Sequence, residues 1–216
     1  MKNVVDLIIR SAFRDLIEME QESGNIKLIY PQLRNKHKRQ SEQEFKQLFI
    51  DHFCRTTEGL KYSVETPTLN SYSFKKEEKP ALDENGRSGN IDLCIHQYVG
   101  NEWKRLHLVE FKAHNIPEVH IEKDLLKLSV GFKGDELNKI NYLVHLIYTA
   151  DQRTLDSLIE KYDKLKSAIN RPEQKQITVY LLFASGVKNV PLSPGYYVFD
   201  LFEGIDVQNY KNMEQA

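Results

Sequence analysis

The chain has 216 residues, with 30 lysines and arginines against 31 acidic residues and a formal net charge of −1. That length suits one domain with its own core, and 40% hydrophobic with 10% aromatic residues excludes a disordered chain. The balanced charge excludes a polybasic coat, so any nucleic-acid footprint has to be a local patch.

Val4, Val5, Ile8, Ile9, Ala12, Phe13, Leu16 and Ile17 recur at helical spacing over residues 1–22. Asp6 and Arg10 interrupt them, which makes an amphipathic helix rather than a signal-peptide core. Residues 23–40 form a connector ending in the basic run RNKHKRQ. A second helix is expected from Ser41 to about Arg55, with Phe45, Leu48, Phe49 and Phe53 inward. A strand at 60–66, a polar loop at 70–88 and strands at 90–97 and 104–113 follow. Then come a helix at 118–130, a strand at 141–149, a helix at 151–169, a strand at 176–184 and a last apolar run at 196–202. The tail NYKNMEQA is expected to be loose.

This alternation predicts an α/β (mixed α+β) fold, a central mixed sheet flanked by helices, with an N-terminal helical extension. The apolar runs at 142–149 and 177–184 suit central strands covered on both faces. The expected division is a helix and basic connector over 1–40, the main domain over 41–205 and a loose tail over 206–216. Cys54 and Cys94 are isolated thiols without CxxC spacing, which points to a reducing, cytoplasmic setting. The longest uncharged apolar stretch, 140–150, falls short of the ~20 residues that cross a bilayer, so no membrane partner is expected.

The sequence holds no GxxxxGK[ST], GxGxxG, GxSxG or HExxH motif. His107, His114 and His120 lack the spacing of zinc ligands and read as surface or packing residues, and Cys94, inside an apolar strand, reads as a buried thiol. One constellation differs: Gly89-Asn90-Ile91-Asp92-Leu93 and Leu108-Val109-Glu110-Phe111-Lys112, with Glu110 18 residues after Asp92. Glu-x-Lys alone carries little, since five occur in the chain, starting at Glu44, Glu77, Glu102, Glu110 and Glu173. Context separates Glu110 from the rest. Strand periodicity puts Glu110 and Lys112 on one face and Val109 and Phe111 on the other. Asp92 stands opposite its apolar neighbours, so a hairpin would gather two carboxylates and an ammonium on one face. Buried charge is costly unless paired or bound to a metal. Mg²⁺ prefers hard oxygen ligands, commonly one or two carboxylates with water and substrate phosphate. The bland alternative is a surface Glu/Lys pair and an unrelated Asp.

These residues, in the order helix, strand, Gly-x-x-Asp strand, Glu-x-Lys strand, helix, strand over roughly 41–150, resemble the PD-(D/E)xK nuclease superfamily. The resemblance implies a restriction-endonuclease-like core and a Mg²⁺-dependent nuclease, Mn²⁺ being a substitute ion and DNA the expected substrate. It implies that Asp92 and Glu110 are metal ligands, joined by the backbone carbonyl of Phe111, and that Lys112 positions the attacking water. Ile91 stands where the family's name has proline.

Such enzymes often carry another acidic residue on the helix before the first core strand. Glu42 and Glu44 are the two candidates: Glu42, with Phe45 at i+3 and Phe49 at i+7, is preferred, because Glu44 completes the capping-box pattern Ser41-x-x-Glu44. Lys36, Lys38 and Arg39 in the connector, with Arg34, and Lys123 and Lys127 on the helix after the motif are candidate phosphate contacts; a solvated face is the competing reading. Tyr72, Phe74, Lys75 and Lys76 in the 70–88 loop could touch nucleic acid, although an ordinary surface loop is the better reading. Two other roles stay open: a non-catalytic nucleic-acid-binding or interaction subunit, and a component of a defence or repair assembly. In the last of these the N-terminal helix would dock a partner protein or form a homodimer.

Overall fold

The computed structural model describes residues 2–22, 26–34, 37–73, 79–130, 137, 139–169, 175–185, 187–188 and 194–213. Helix α1 (Lys2–Glu20) is followed by α2 (Glu42–Thr56), β1 (Leu60–Ser73), β2 (Ala81–Leu82), β3 (Arg87–Val99) and β4 (Glu102–Ala113). Then come α3 (Glu118–Ser129), β5 (Ile140–Ile147), β6 (Ala150–Asp151), α4 (Gln152–Ala168), β7 (Gln176–Phe183), β8 (Val187–Lys188), β9 (Gly195–Asp200) and β10 (Lys211–Asn212). Among the described residues, eight strands form one mixed sheet in the order β10-β9-β7-β5-β4-β3-β1-β2. The β4-β5 and β5-β7 pairs are parallel, and the other pairs are antiparallel. The mixed α/β sheet flanked by helices is the class the alternating pattern predicts.

One sheet face is covered by α1 and α2. Val5, Ile8, Ile9, Ala12, Phe13 and Leu16 of α1 and Phe45, Leu48, Phe49 and Phe53 of α2 share a core with Val109, Phe111, Tyr142, Val144 and Tyr180. The apolar stripe of α1 is therefore part of the domain core and is not available for docking a partner. The other face packs Ile121, Leu125 and Leu128 of α3 and Leu155, Leu158 and Leu165 of α4 on Leu108, Leu143, Val179 and Leu181. β5 and β7 are buried on both sides, which is why their runs are apolar without alternation.

Local chemistry sets the ends of several elements. Ser41 caps α2: its Oγ accepts the Gln43 N–H at 3.3 Å while the Glu44 carboxylate accepts the Ser41 N–H at 3.0 Å, the capping box expected from the sequence. Asp151 caps α4 by accepting the Thr154 N–H at 2.8 Å. Gly100 and Asn101 turn the β3-β4 hairpin with φ of 58° and 74°, the pair of left-handed residues that a two-residue hairpin turn favours.

Two expectations change. The strand placed at 60–66 runs on to Ser73, and the polar loop placed at 70–88 holds the Tyr72↔Leu82 and Ser73↔Ala81 pairs and the start of β3. A register shift between Pro67 and Ser71 lets β1 bend and keep pairing; a proline in an edge strand hides that continuation from pattern reading. Tyr72 is only 1% exposed, so it is a core residue rather than a nucleic-acid contact, while Phe74, Lys75 and Lys76 lie outside the described residues. In the tail, Lys211 and Asn212 pair with Tyr196 and Gly195, and Met213 is buried. No helix among the described residues is long and apolar enough to cross a membrane.

Candidate active site

The β3-β4 ladder runs from the hairpin down to Leu93↔Val109 and stops there. Beyond it, the Phe111 N–H donates to Asp92 Oδ2 at 2.8 Å instead of to the β3 backbone. On its other edge β4 stays paired with β5 from Val109 to Ala113. The two strands thus part at Asp92 and Glu110, and a carboxylate bridges the opening.

The expected alternation about Asp92 does not hold. Ile91 belongs to the α3/α4 core and Leu93 to the α1/α2 core, although they are two apart. The neighbouring ladder pairs Val64↔Leu93 and Thr66↔Ile91 around Glu65, whose φ is 48°. A non-glycine residue in that region marks a local irregularity, and it coincides with the change of face. Asp92 therefore sits between the two layers, and Lys46 of α2 reaches it at 3.8 Å while bonding Glu65 at 2.9 Å.

Glu110 and Lys112 share a face, as period two requires, and α3 supplies Asp124 and Lys127 opposite them. Lys112 Nζ lies 2.7 Å from Asp124 Oδ2. Lys127 Nζ meets three oxygens: Glu110 Oε1, Asp124 Oδ1 at 2.8 Å and the Asn90 carbonyl at 2.8 Å. Glu110 is 1% exposed and Asp124 4%. Glu65, Asp92, Glu110 and Asp124 against Lys46, Lys112 and Lys127 leave one formal negative charge in excess across the network. Burial, then the Asp124 charge, holds the Glu110 carboxyl well above the usual carboxylate range, with Lys127 opposing them. Burial alone would lower the Lys127 and Lys112 ammoniums, but the facing carboxylates outweigh it and both are raised. Glu110 Oε1 and Asp124 Oδ2 touch these ammoniums without hydrogen-bond geometry.

Behind the cluster, His145 of β5, paired in register with Lys112, is fully buried. Its Nε2 lies 2.6 Å from the His114 carbonyl, which can only accept, so Nε2 carries the proton. Nδ1 then accepts from the Tyr162 hydroxyl at 2.9 Å. Burial pushes this imidazole down to about 4, with Lys161 and Lys112 adding to the effect.

Of the residues expected at the site, Asp92, Glu110 and Lys112 lie near enough for each to act on the others' charge. Glu42 is half-buried at the start of α2; the α2 side chain that arrives at Asp92 is Lys46. Lys127, expected on a phosphate-facing surface, is 4% exposed inside the carboxylate cluster: three oxygens hold it in, so it is not a surface contact. Lys123 is half-buried. Lys38 pairs with Glu22 at 3.0 Å and Arg39 approaches Glu44 at 3.9 Å. Arg34 is exposed, and Lys36 lies outside the described residues. His107 bonds the Ile140 carbonyl at 2.7 Å, His114 and His120 are exposed, and Cys94 is buried, which fits the packing and surface readings.

Sequence reasoning does not single out Asp124 and Lys46, and it places Lys127 in a different role. A signal existed for the first: Ile121, Asp124, Leu125 and Leu128 share one helical stripe, so Asp124 points inward.

Among the described residues no three His, Cys, Asp or Glu side chains are arranged to hold a metal ion. The fit to Mg²⁺ therefore rests on two carboxylates, Asp92 and Glu110, with water and phosphate completing the shell, a set this ion commonly uses. The unmatched carboxylate charge and the buried Glu110 oxygen without a proper hydrogen bond both suit a cation. Compared with protein-family models, curated proteins and solved structures, the chain matches none.

Proposed function

We propose that the chain is a Mg²⁺-dependent nuclease of the PD-(D/E)xK type, with a restriction-endonuclease-like core, that hydrolyses phosphodiester bonds in DNA. The observation that carries this reading is the grouping of Asp92, Glu110 and Lys112 within reach of one another's charge where β3 and β4 part, with carboxylate charge in excess. Asp92 and Glu110, with the Phe111 carbonyl, would hold the ion. When bound, Mg²⁺ supplies charge neutralisation at the attacked phosphate and favours hydroxide over water. Adding an ion of charge two to the cluster's one formal negative charge leaves one positive charge, which a phosphodiester group neutralises. Lys112, an ammonium at every neutral pH because the carboxylates raise it, orients the attacking water and faces the charge that builds on phosphate oxygen. One P–O bond forms to that water, one breaks, and the leaving oxygen takes a proton. Lys46, bridging Glu65 and Asp92, keeps the Asp92 carboxylate aimed. The two free thiols suit a reducing, cytoplasmic setting.

A second reading, a nucleic-acid-binding or interaction subunit that keeps the fold without the chemistry, draws on Lys127. Its ammonium already engages Glu110, so the cluster can be neutralised from within.

Nicking of supercoiled plasmid by the purified protein with Mg²⁺, Mn²⁺ or EDTA separates the two. Metal-dependent cutting that disappears in Lys112→Ala and Asp92→Ala supports the nuclease. Cutting that persists in both variants sinks the residue assignment. Divalent-independent DNA binding that survives Asp92→Ala, with no cutting, favours the subunit.

A further inference from the structure

Lys127 is a cation sitting where three oxygens converge: Glu110 Oε1, Asp124 Oδ1 and the Asn90 carbonyl. Of these oxygens, Glu110 also belongs to the pair of carboxylates that would hold a divalent ion of the Mg²⁺ class, which selects oxygen ligands. Its side chain is 6% exposed and that of Glu110 1%, so no bulk solvent screens the pair. Glu110 Oε1, although touched by the ammonium, receives no hydrogen bond of proper geometry. The contact is thus one of charge, on a flexible four-carbon stem that can move. Asp124, three residues earlier on the same helix, holds Lys112 through its other oxygen, so Lys127 keeps a carboxylate partner on α3 after leaving Glu110.

We infer that Lys127 is a resident cation that a divalent ion displaces from Glu110, so that the site is assembled already filled and is loaded by exchange. The exchange rests on the nuclease reading for the identity of the ion's ligands, and it is read without any nucleic acid. The ammonium holds the acidic cluster together before the ion arrives. It also sets the ion's apparent affinity, because every binding event has to break the Lys127–Glu110 contact.

Calorimetric titration of Mn²⁺ into the wild-type chain and Lys127→Met tests this. Methionine keeps the length of the stem and removes the charge. The expected result is binding tighter by about tenfold or more in Lys127→Met, a difference of about 1.4 kcal/mol. Adding Glu110→Gln to Lys127→Met should abolish the gain. In parallel, Mg²⁺ is titrated into wild-type protein labelled with ¹⁵N at lysine Nζ. The Lys127 ammonium signal should shift as the ion saturates, and this readout stands even if Lys127→Met does not fold. Equal Mn²⁺ affinities, no ion binding to either chain, a gain that survives Glu110→Gln, or a Lys127 signal unmoved at Mg²⁺ saturation would each overturn the exchange. Plasmid cutting that needs the divalent ion, alongside any of those results, leaves the nuclease reading standing. Exchange without cutting removes the nuclease and leaves an ion site.

Discussion

Replacing His145 with glutamine should change the acid sensitivity of the fold by an amount that the structure sets. His145 is fully buried, donates through Nε2 to the His114 carbonyl and accepts from Tyr162. Its pKa is lowered from 6.5 to about 4, first by burial. A histidine lowered on folding takes its proton in the unfolded chain first, so stability is lost as pH falls from 6.5 toward 4. At about 1.4 kcal/mol per pH unit, that range amounts to about 3 kcal/mol from this one side chain. Glutamine cannot titrate there. At pH 7.5 His145→Gln should be the less stable protein, because at least one buried hydrogen bond is lost or distorted, at a cost of roughly 1–3 kcal/mol. The difference between the two proteins should then shift by about 3 kcal/mol in favour of His145→Gln between pH 7.5 and pH 4, which closes or reverses the gap. Urea unfolding followed by circular dichroism at four or five pH values measures it. Other carboxylates and histidines titrate in both proteins and cancel in the difference. A gap that stays constant to within about 0.5 kcal/mol would show that His145 is not held neutral by burial, and the reasoning would fail.

Glu110→Gln should be more stable than wild type at pH 8. Burial and Asp124 raise the carboxyl pKa, so the wild-type fold loses stability as pH rises above the unfolded value of 4.5; the advantage should shrink toward pH 4.5, and thermal melts at the two pH values check the sign. Phe111→Ala should cost about 3–5 kcal/mol in urea unfolding, because this 1%-exposed ring packs between Phe45 at 5.9 Å and Phe49 at 5.6 Å. A loss below about 1 kcal/mol would mean that the layer between α2 and the sheet is loosely packed. Ser41→Ala removes the acceptor for the Gln43 N–H and the hydroxyl bonded to Glu44. It should cost about 1 kcal/mol in the same assay, with an unchanged midpoint counting against the cap.

Period-two and period-3.6 patterning made the strands, the helices and the shared face of Glu110 and Lys112 legible before any coordinates, because these depend only on which way successive side chains point. Capping by Ser41 and Glu44 was equally local, and so was the burial of Cys94 within its strand. What needed the tertiary structure was everything set by a second element. Asp92 looked like one member of a regular alternation, but Glu65 on the neighbouring strand takes a left-handed backbone, and Ile91 and Leu93 end in different cores. Glu42 lay on a plausible inward stripe, yet it is Lys46, one turn further along the same face, that stands level with Asp92. Lys127 read as a surface charge because helical spacing reports relative angles and leaves the phase to the surface the helix packs on. The packing of α3 against β4 turns that charge inward, onto Glu110 and Asp124. Local sequence determines which residues can share a face. Register and helix docking decide which of those faces meet, since the packing and electrostatics that fix them are summed over residues far apart in the chain.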